Sequence, residues 1–177
     1  MAQSLFANDT GNSKLRAVTI GAVVTSRVPS EVLVAYGLGS CVVVCLYDPV
    51  ARVGGMLHAL LPTAPGNRKT KDSRAKFVDE GVPLLVEELT RLGARRSRLI
   101  VRLCGGAKVL SVPGFSDDGV LNIGKRNVLA AEGALKAARL RVRAQATGGT
   151  TGRTVKLYID TGQVTVQSLG RAEQVLS

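Results

Sequence analysis

The sequence predicts an α+β fold, a layered α/β sandwich of mixed β-sheet with two main helices packed outside. Short apolar runs bounded by residues typical of turns recur along the chain, as expected of strands. Two longer segments instead repeat apolar residues at the three-to-four spacing of one helix face. The pattern predicts roughly eight or nine strands and two helices, and several strands precede the first helix in the chain. This arrangement favours a layered fold.

Four strands are expected in the first third of the chain. The first two cover residues 16–24 and 32–36, and the next two cover 41–47 and 53–61. Asp48-Pro49 separates the last pair and is typical of a turn, because proline cannot donate a ladder hydrogen bond. The run at 41–47 is almost wholly apolar, which predicts a strand buried on both faces.

Both helices are predicted from their apolar faces. Gly93 is a natural C-terminal cap for the first, and Pro83 should either kink that helix or mark where its regular part begins. Asn122 should cap the second, which extends to about Ala138. The two apolar faces comprise Val78, Val82, Leu85, Leu89 and Leu92, and then Val128, Ala131, Leu135 and Ala138.

The remaining segments predict strands and loops. Residues 63–76 and 111–118 lack periodicity and should be loops, the first of them mobile and suited to a lid or a partner contact. Strands are expected at 98–104 and 140–144, followed by a hairpin of 154–159 with 164–167.

The chain of 177 residues predicts one domain at 15–177, preceded by a flexible arm at 1–14. The amino terminus lacks a signal-peptide pattern, and no apolar run approaches the ~20 residues of a membrane span, so we expect a cytoplasmic protein without membrane insertion. Of the three cysteines, Cys41 and Cys45 would lie ~13 Å apart on one strand, too far for a disulfide. With one histidine and no CxxC motif, we expect no metal site, a zinc site least of all.

The formal net charge of +11 predicts an acidic partner or simply a solvated basic face. Nucleic acid is the first class to consider, but aromatic side chains for base stacking are almost absent and no nucleic-acid-binding motif is found. An acidic protein surface explains the charge equally well. The basic residues cluster at Arg91, Arg95, Arg96, Arg98 and Arg102, and at Arg139, Arg141 and Arg143.

Cys41 and His58 are the candidate catalytic residues. If the strands at 41–47 and 53–61 form a hairpin, both residues lie near its open end, and a thiol beside an imidazole is the minimum for a nucleophile with its base. Gly37 and Gly39 allow positive φ and close backbone approach, so the amides around Ser40 and Cys41 can converge on an oxyanion. The alternative is structural, because a cysteine in a Val-rich strand is usually a small buried hydrophobe.

Six motifs in order resemble the CheD family, the chemoreceptor glutamine deamidases of bacterial chemotaxis. They are GLGSCVVVCLYDP at 37–49, GGMLHALLP at 54–62, LGA at 92–94, CGGA at 104–107, NIGKRNV at 122–128, and TGGTTGR at 147–153 with the following strand and TGQV. The resemblance implies hydrolysis of glutamine side-chain amides on receptor cytoplasmic helices, with Cys41 as nucleophile, His58 as base and no cofactor. It also implies a partner, a CheC-type CheY-phosphate phosphatase.

One position departs from the family pattern. The third catalytic residue of the family is a threonine six residues before the cysteine, and here that position is Ala35. If the threonine hydroxyl orients the histidine, Ala35→Thr should raise turnover by up to about tenfold, the equivalent of one good hydrogen bond. The alternative is a catalytically weakened binding module that regulates the phosphatase. Faster alkylation of Cys41 than of an ordinary thiol would favour the enzyme.

Overall fold

The computed structural model describes residues 13–66, 71–108 and 122–177. Over these residues the chain forms ten strands in two five-stranded sheets and two α-helices, which confirms the predicted α+β sandwich. The elements are β1 (Lys14–Ala17), β2 (Ala22–Ser26), β3 (Glu31–Leu38), β4 (Val42–Asp48), β5 (Val53–Ala59), α1 (Val78–Arg91), β6 (Ile100–Gly105), α2 (Ile123–Ala137), β7 (Val142–Thr147), β8 (Arg153–Tyr158), β9 (Val164–Ser168) and β10 (Gln174–Val175).

The molecule has three layers. One sheet has the order β2-β5-β4-β6-β7 and is packed on one face by α1 and α2, so we name it the helix-covered sheet. The other, the outer sheet, has the order β1-β3-β8-β9-β10 and packs against the opposite face of the first. Both sheets are mixed, because β1 pairs with β3 and β6 with β7 in parallel, whereas the other pairs are antiparallel.

The central strand β4 shows why the core has two halves. Every residue of β4 is buried, as the apolar run at 41–47 predicts. Its side chains alternate, so that Val42, Val44 and Leu46 belong to the core under the helices. Val43 and Cys45 belong to the core between the sheets. The predicted hairpin is also confirmed, because β4 pairs with β5 along its whole length.

The prediction of one strand at 16–24 is wrong. This segment forms two strands, β1 and β2, which belong to different sheets. Gly21, with φ of 77°, lies in the turn that separates them. The sequence does not show this break because both halves have strand composition. The chain therefore crosses from one sheet to the other between Val18 and Gly21, close to the end of β5 that carries His58.

Both predicted helices are present. The helix α1 begins at Val78, before Pro83, so the proline does not mark the start of its regular part. Asn122 caps α2 by accepting a hydrogen bond from the amide of Lys125 at 3.0 Å, as the sequence predicts. Glycine residues allow α1 to lie close to the sheet, since a Cβ at Gly81 would come within 2.6 Å of Leu57.

Several boundaries differ from those predicted. Lys14, expected in the flexible arm, pairs with Glu31 as the first residue of β1, and the rest of the expected arm up to residue 12 lies outside the described residues. Part of the loop expected at 63–76 is a 3₁₀ helix, Lys71–Lys76. The loop expected at 111–118 lies outside the described residues. In the described ranges no helix is both long enough and apolar enough to cross a membrane.

Candidate active site

Cys41 lies in the turn that joins β3 of the outer sheet to β4 of the helix-covered sheet. Of the two turn glycines named from the sequence, Gly37 has a positive φ of 64° and Gly39 does not. The Cys41 residue is 7 % exposed, so the thiol lies just below the surface. The strand alternation that places Val43 between the sheets places Cys41, two residues earlier, on the same face.

His58 lies on β5 and faces the same side. It pairs directly with Val43 across the hairpin, and its strand neighbour Met56 belongs to the core between the sheets. The residue is 3 % exposed. Its ring nitrogen Nδ1 is 3.0 Å from the backbone oxygen of Val18, which can only accept a hydrogen bond. This contact therefore fixes the tautomer with the proton on Nδ1 and leaves the lone pair on Nε2.

The register makes Cys41 and His58 diagonal neighbours. Because Val43 is opposite His58, Cys41 lies one diagonal step away, a separation of about 7–8 Å between Cα atoms. Nε2 of His58 is buried and has no hydrogen-bond partner among the described residues, so the thiol does not reach it in this resting state. Hydrogen bonds between catalytic groups are often long before substrate binds and tighten afterwards.

Burial keeps both groups uncharged near neutral pH. Desolvation raises the pKa of the Cys41 thiol above its usual value, and a hydrogen bond from its own backbone amide offsets this only in part. Desolvation lowers the pKa of His58, although its contact with Val18 acts in the opposite direction. The resting site therefore holds a thiol and a neutral imidazole. A thiol with a raised pKa does not alkylate fast at neutral pH, so in this site the alkylation rate of Cys41 at neutral pH does not distinguish an enzyme from a binding module.

The turn at Gly39, Ser40 and Cys41 is held by three hydrogen bonds to its carbonyl oxygens. The amide of Ala107 donates to the oxygen of Gly39 at 2.8 Å, and the amide of Gly106 donates to that of Cys41 at 2.7 Å. The Ser40 oxygen accepts from the side chain of Asn127 on α2 at 2.9 Å. These three contacts arrange the backbone amides that the sequence assigned to an oxyanion.

Ala35 lies on β3 in the core between the sheets and is fully buried. Its methyl group donates no hydrogen bond, but the carbonyl of Val18 already supplies a partner for Nδ1 of His58. The amide of Val18 in turn donates to the oxygen of Val34 at 2.8 Å, which holds that carbonyl in place. The orienting contact expected from a threonine at position 35 is thus made by the backbone of the neighbouring strand end.

Sequence reasoning missed two groups, the Val18 carbonyl and Asn127. Nothing in the sequence marks Val18, because every residue has a carbonyl and only the crossing of the chain brings this one to His58. Asn127 did carry a signal. It precedes Ala131 and Leu135 by one and two helical turns, so a polar side chain occupies a core position of α2.

Over residues 13–66, 71–108 and 122–177, no group of three or more His, Cys, Asp or Glu side chains is placed to coordinate a metal ion. What the described residues do assemble is a buried thiol, an imidazole with a free lone pair, and a backbone turn with ordered carbonyls. These are the parts needed for attack by sulfur on a carbonyl carbon.

Comparison with known proteins identifies a matching family. The family model described as CheD chemotactic sensory transduction matches residues 60–168. The probable chemoreceptor glutamine deamidase CheD of Symbiobacterium thermophilum is 44% identical over 163 residues, which cover 92% of this chain and 98% of the relative. The chemoreceptor glutamine deamidase CheD of Thermotoga maritima is 41% identical over 160 residues, covering 90% and 96%. Alignments of this length span positions 41 and 58, which precede the family-model match.

A solved structure, the hypothetical protein YfiH of Bacillus licheniformis, matches more distantly. It is 14% identical with a TM-score of 0.43, and the match covers 82% of this chain and 61% of that one.

Proposed function

The chain belongs to the CheD family, and from this premise we propose that it is a protein-glutamine deamidase acting on chemoreceptors, with Cys41 as nucleophile and His58 as base. One observation carries the chemistry. Nδ1 of His58 is tied to the Val18 carbonyl, which leaves the lone pair on Nε2, and His58 pairs across the hairpin with Val43, two residues from Cys41. A neutral imidazole in this tautomer can accept a proton from the thiol.

The first half of the reaction forms a thioester. The Cys41 sulfur attacks the side-chain amide carbon of glutamine while its proton moves to Nε2 of His58. The amide oxygen becomes an oxyanion, which the backbone amides of the turn at Ser40 and Cys41 stabilise. The imidazolium then protonates the amide nitrogen, the carbon–nitrogen bond breaks, and ammonia leaves.

Water completes the second half. His58, again neutral, takes a proton from water as its oxygen attacks the thioester carbon, and the imidazolium returns that proton to the sulfur as the carbon–sulfur bond breaks. The net change is glutamine and water to glutamate and ammonia. Every proton is carried by His58, Cys41 or the reactants, so these steps balance without a cofactor.

We propose the cytoplasmic helices of chemoreceptors as the substrate, after the activity named for the relatives. We also propose a CheC-type phosphatase as a further protein partner, as the sequence resemblance implies. We propose a cytoplasmic location for the enzyme, because the proposed substrate helices lie there. We also propose that residues 15–177 act as one deamidase domain, because the first four strands alternate between the two sheets and the outer sheet combines strands from both ends of the described chain. Nucleic acid is not part of this proposal.

Mass spectrometry of a receptor cytoplasmic fragment incubated with the protein tests the proposal. We expect specific glutamines to become glutamates with wild type and none with Cys41→Ala. Cys45→Ala is the matched control, because Cys45 is also a buried cysteine but lies within β4, away from the turn, and this variant should retain activity. Conversion by Cys41→Ala at the wild-type rate would refute the mechanism. A wild type that binds receptor or phosphatase without conversion would identify a binding module.

A further inference from the structure

The side chain of Asn127 connects the two halves of the candidate site. It is fully buried on α2, and its Nδ2 donates to the backbone oxygens of Ser40 and Leu60, each at 2.9 Å. Ser40 directly precedes the nucleophile, and Leu60 follows the strand that carries His58. Both partners are acceptors, so only the amide nitrogen of Asn127 fits between them. Its Oδ1 has no partner among the described residues.

The Oδ1 of Asn127 is buried without a partner in the described residues, which costs free energy, whereas its Nδ2 donates to both the Ser40 and the Leu60 carbonyls. The other carbonyls of the turn accept hydrogen bonds from the backbone amides of Gly106 and Ala107, so they depend on no side-chain donor. The Ser40 carbonyl depends instead on one particular side chain. This points to a role in placing the peptide between Ser40 and Cys41.

Peptide geometry shows what that placement achieves. The described residues contain no cis peptide bond, so the Ser40 oxygen and the Cys41 N–H point in opposite directions across one rigid plane. Asn127 draws the oxygen towards α2, on the helix side of the sheet. The Cys41 N–H is thereby directed away from the helices, to the side on which Val43 and His58 lie. The hydrogen bond from this amide that favours the Cys41 thiolate agrees with that direction.

We propose that Asn127 is a positioning residue of the deamidase, holding the Ser40 carbonyl so that the Cys41 amide is directed at the oxyanion formed on the substrate glutamine. This inference rests on the proposed function. Asn127 does not touch the substrate and acts through the peptide plane and through the strand end at Leu60.

Asn127→Leu and Asn127→Ala both remove the two donated hydrogen bonds, and the leucine variant also preserves much of the side chain's volume. Because the oxyanion exists only in the transition state and intermediates, we expect kcat for deamidation to fall about 10- to 100-fold, with KM changed less than about threefold. Leu135→Ala is the matched control on the same helix. It should loosen the packing of α2 and lower the melting temperature, yet keep kcat when assayed well below that temperature.

A second measurement does not need deamidase activity. The rate of Cys41 alkylation by iodoacetamide is followed against pH by mass spectrometry of the Cys41 peptide, which separates it from Cys45 and Cys104. In folded Asn127 variants the midpoint should move to higher pH, because the Cys41 amide no longer supports the thiolate. The midpoint in Leu135→Ala should match that of wild type. Should the leucine variant not fold, the alanine variant, which adds no charge near Cys41, decides.

The outcomes separate the two proposals. A wild type without deamidation refutes the proposed function, and the alkylation midpoint then still decides the role of Asn127. An unchanged midpoint in the folded Asn127 variants overturns the positioning role, whatever the activity of wild type. Unchanged kcat in these variants, with an active wild type, overturns it as well.

Discussion

At the scale of single residues, the pair Cys41 and His58 is neutral at rest, and this determines the expected pH dependence. The pKa of His58 lies below its usual value, and that of Cys41 lies above its own, in both cases because of burial. We expect kcat/KM to be constant around neutral pH and to fall only below pH ~6.5, where protonation removes the lone pair on Nε2. Initial rates measured between pH 5 and 9 on one receptor fragment check this, within the range where the protein stays folded.

His58→Ala provides the comparison for that profile. It should slow deamidation by at least ~10²-fold and abolish the acidic limb of the curve. A variant that retains wild-type rates would show that His58 is not the base.

The second prediction at this scale concerns Ala35. Since the Val18 carbonyl already orients His58, the hydroxyl in Ala35→Thr should not raise turnover. Position 35 is fully buried between the sheets, so the added atoms should instead destabilise the fold by about 1–3 kcal/mol. Initial rates and urea unfolding measure the two effects. Ala35→Ser adds the hydroxyl with less volume, and a clear rate increase in either variant would restore the role inferred from the threonine of the family.

At the scale of elements, the end of β6 supports the nucleophile turn. Gly105 has φ of 106°, and a Cβ there would lie 2.2 Å from the Cys41 oxygen. Gly105→Ala must therefore push the turn and β6 apart, and a displacement of about 1 Å at a reacting group can lower a rate about 10²-fold. We expect a fall of that order in kcat together with a lower melting temperature.

Gly133→Ala is the control for this prediction. Gly133 lies within α2, and nothing surrounds the position that its Cβ would take. The added methyl should stabilise the helix by about 0.5–1 kcal/mol and leave kcat unchanged. If Gly105→Ala behaved in the same way, close contact at Cys41 would not matter for catalysis.

At the scale of the whole molecule, Asp48 ties the hairpin to the segment after α1. Its buried carboxylate pairs with Arg98, with Nη2 and Oδ2 2.8 Å apart, and accepts the amide of Arg95 at 2.8 Å. Burial alone would raise its pKa, but the hydrogen bonds from Arg98 and from the backbone amides of Arg95, Ala51 and Val50 together lower it well below the usual range.

A lowered carboxylate pKa makes the fold sensitive to acid. The stabilisation is complete above the unfolded pKa of about 3.9 and is lost as the pH falls below it. Asp48→Asn should lower the melting temperature at pH 7 by roughly 5–10 °C, and this difference should narrow at pH values below about 4. Melting curves between pH 3 and 7 check both parts. Asp160 is exposed, so Asp160→Asn should change the melting temperature little. A fall as large as that in Asp48→Asn would contradict the stabilising role assigned to the Asp48 carboxylate.

Much of this protein follows from its sequence alone. The apolar run of β4, the turn at Asp48-Pro49 and the helical spacings of α1 and α2 are local patterns, because side-chain periodicity directly reflects which face of an element is buried. The position of the turn between β4 and β5 sets the register of their pairing. The sequence therefore also predicts that Cys41 and His58 lie near one end of this hairpin.

Other features were decided only by the tertiary structure. The segment at 16–24 reads as one strand, but the strand partners that pair with its two halves lie in different sheets. That crossing brings the Val18 carbonyl to His58, and the packing of α2 brings Asn127 to the nucleophile turn. The physical reason is that these hydrogen bonds join residues 40 to 87 positions apart, so they depend on which elements meet in space rather than on local composition.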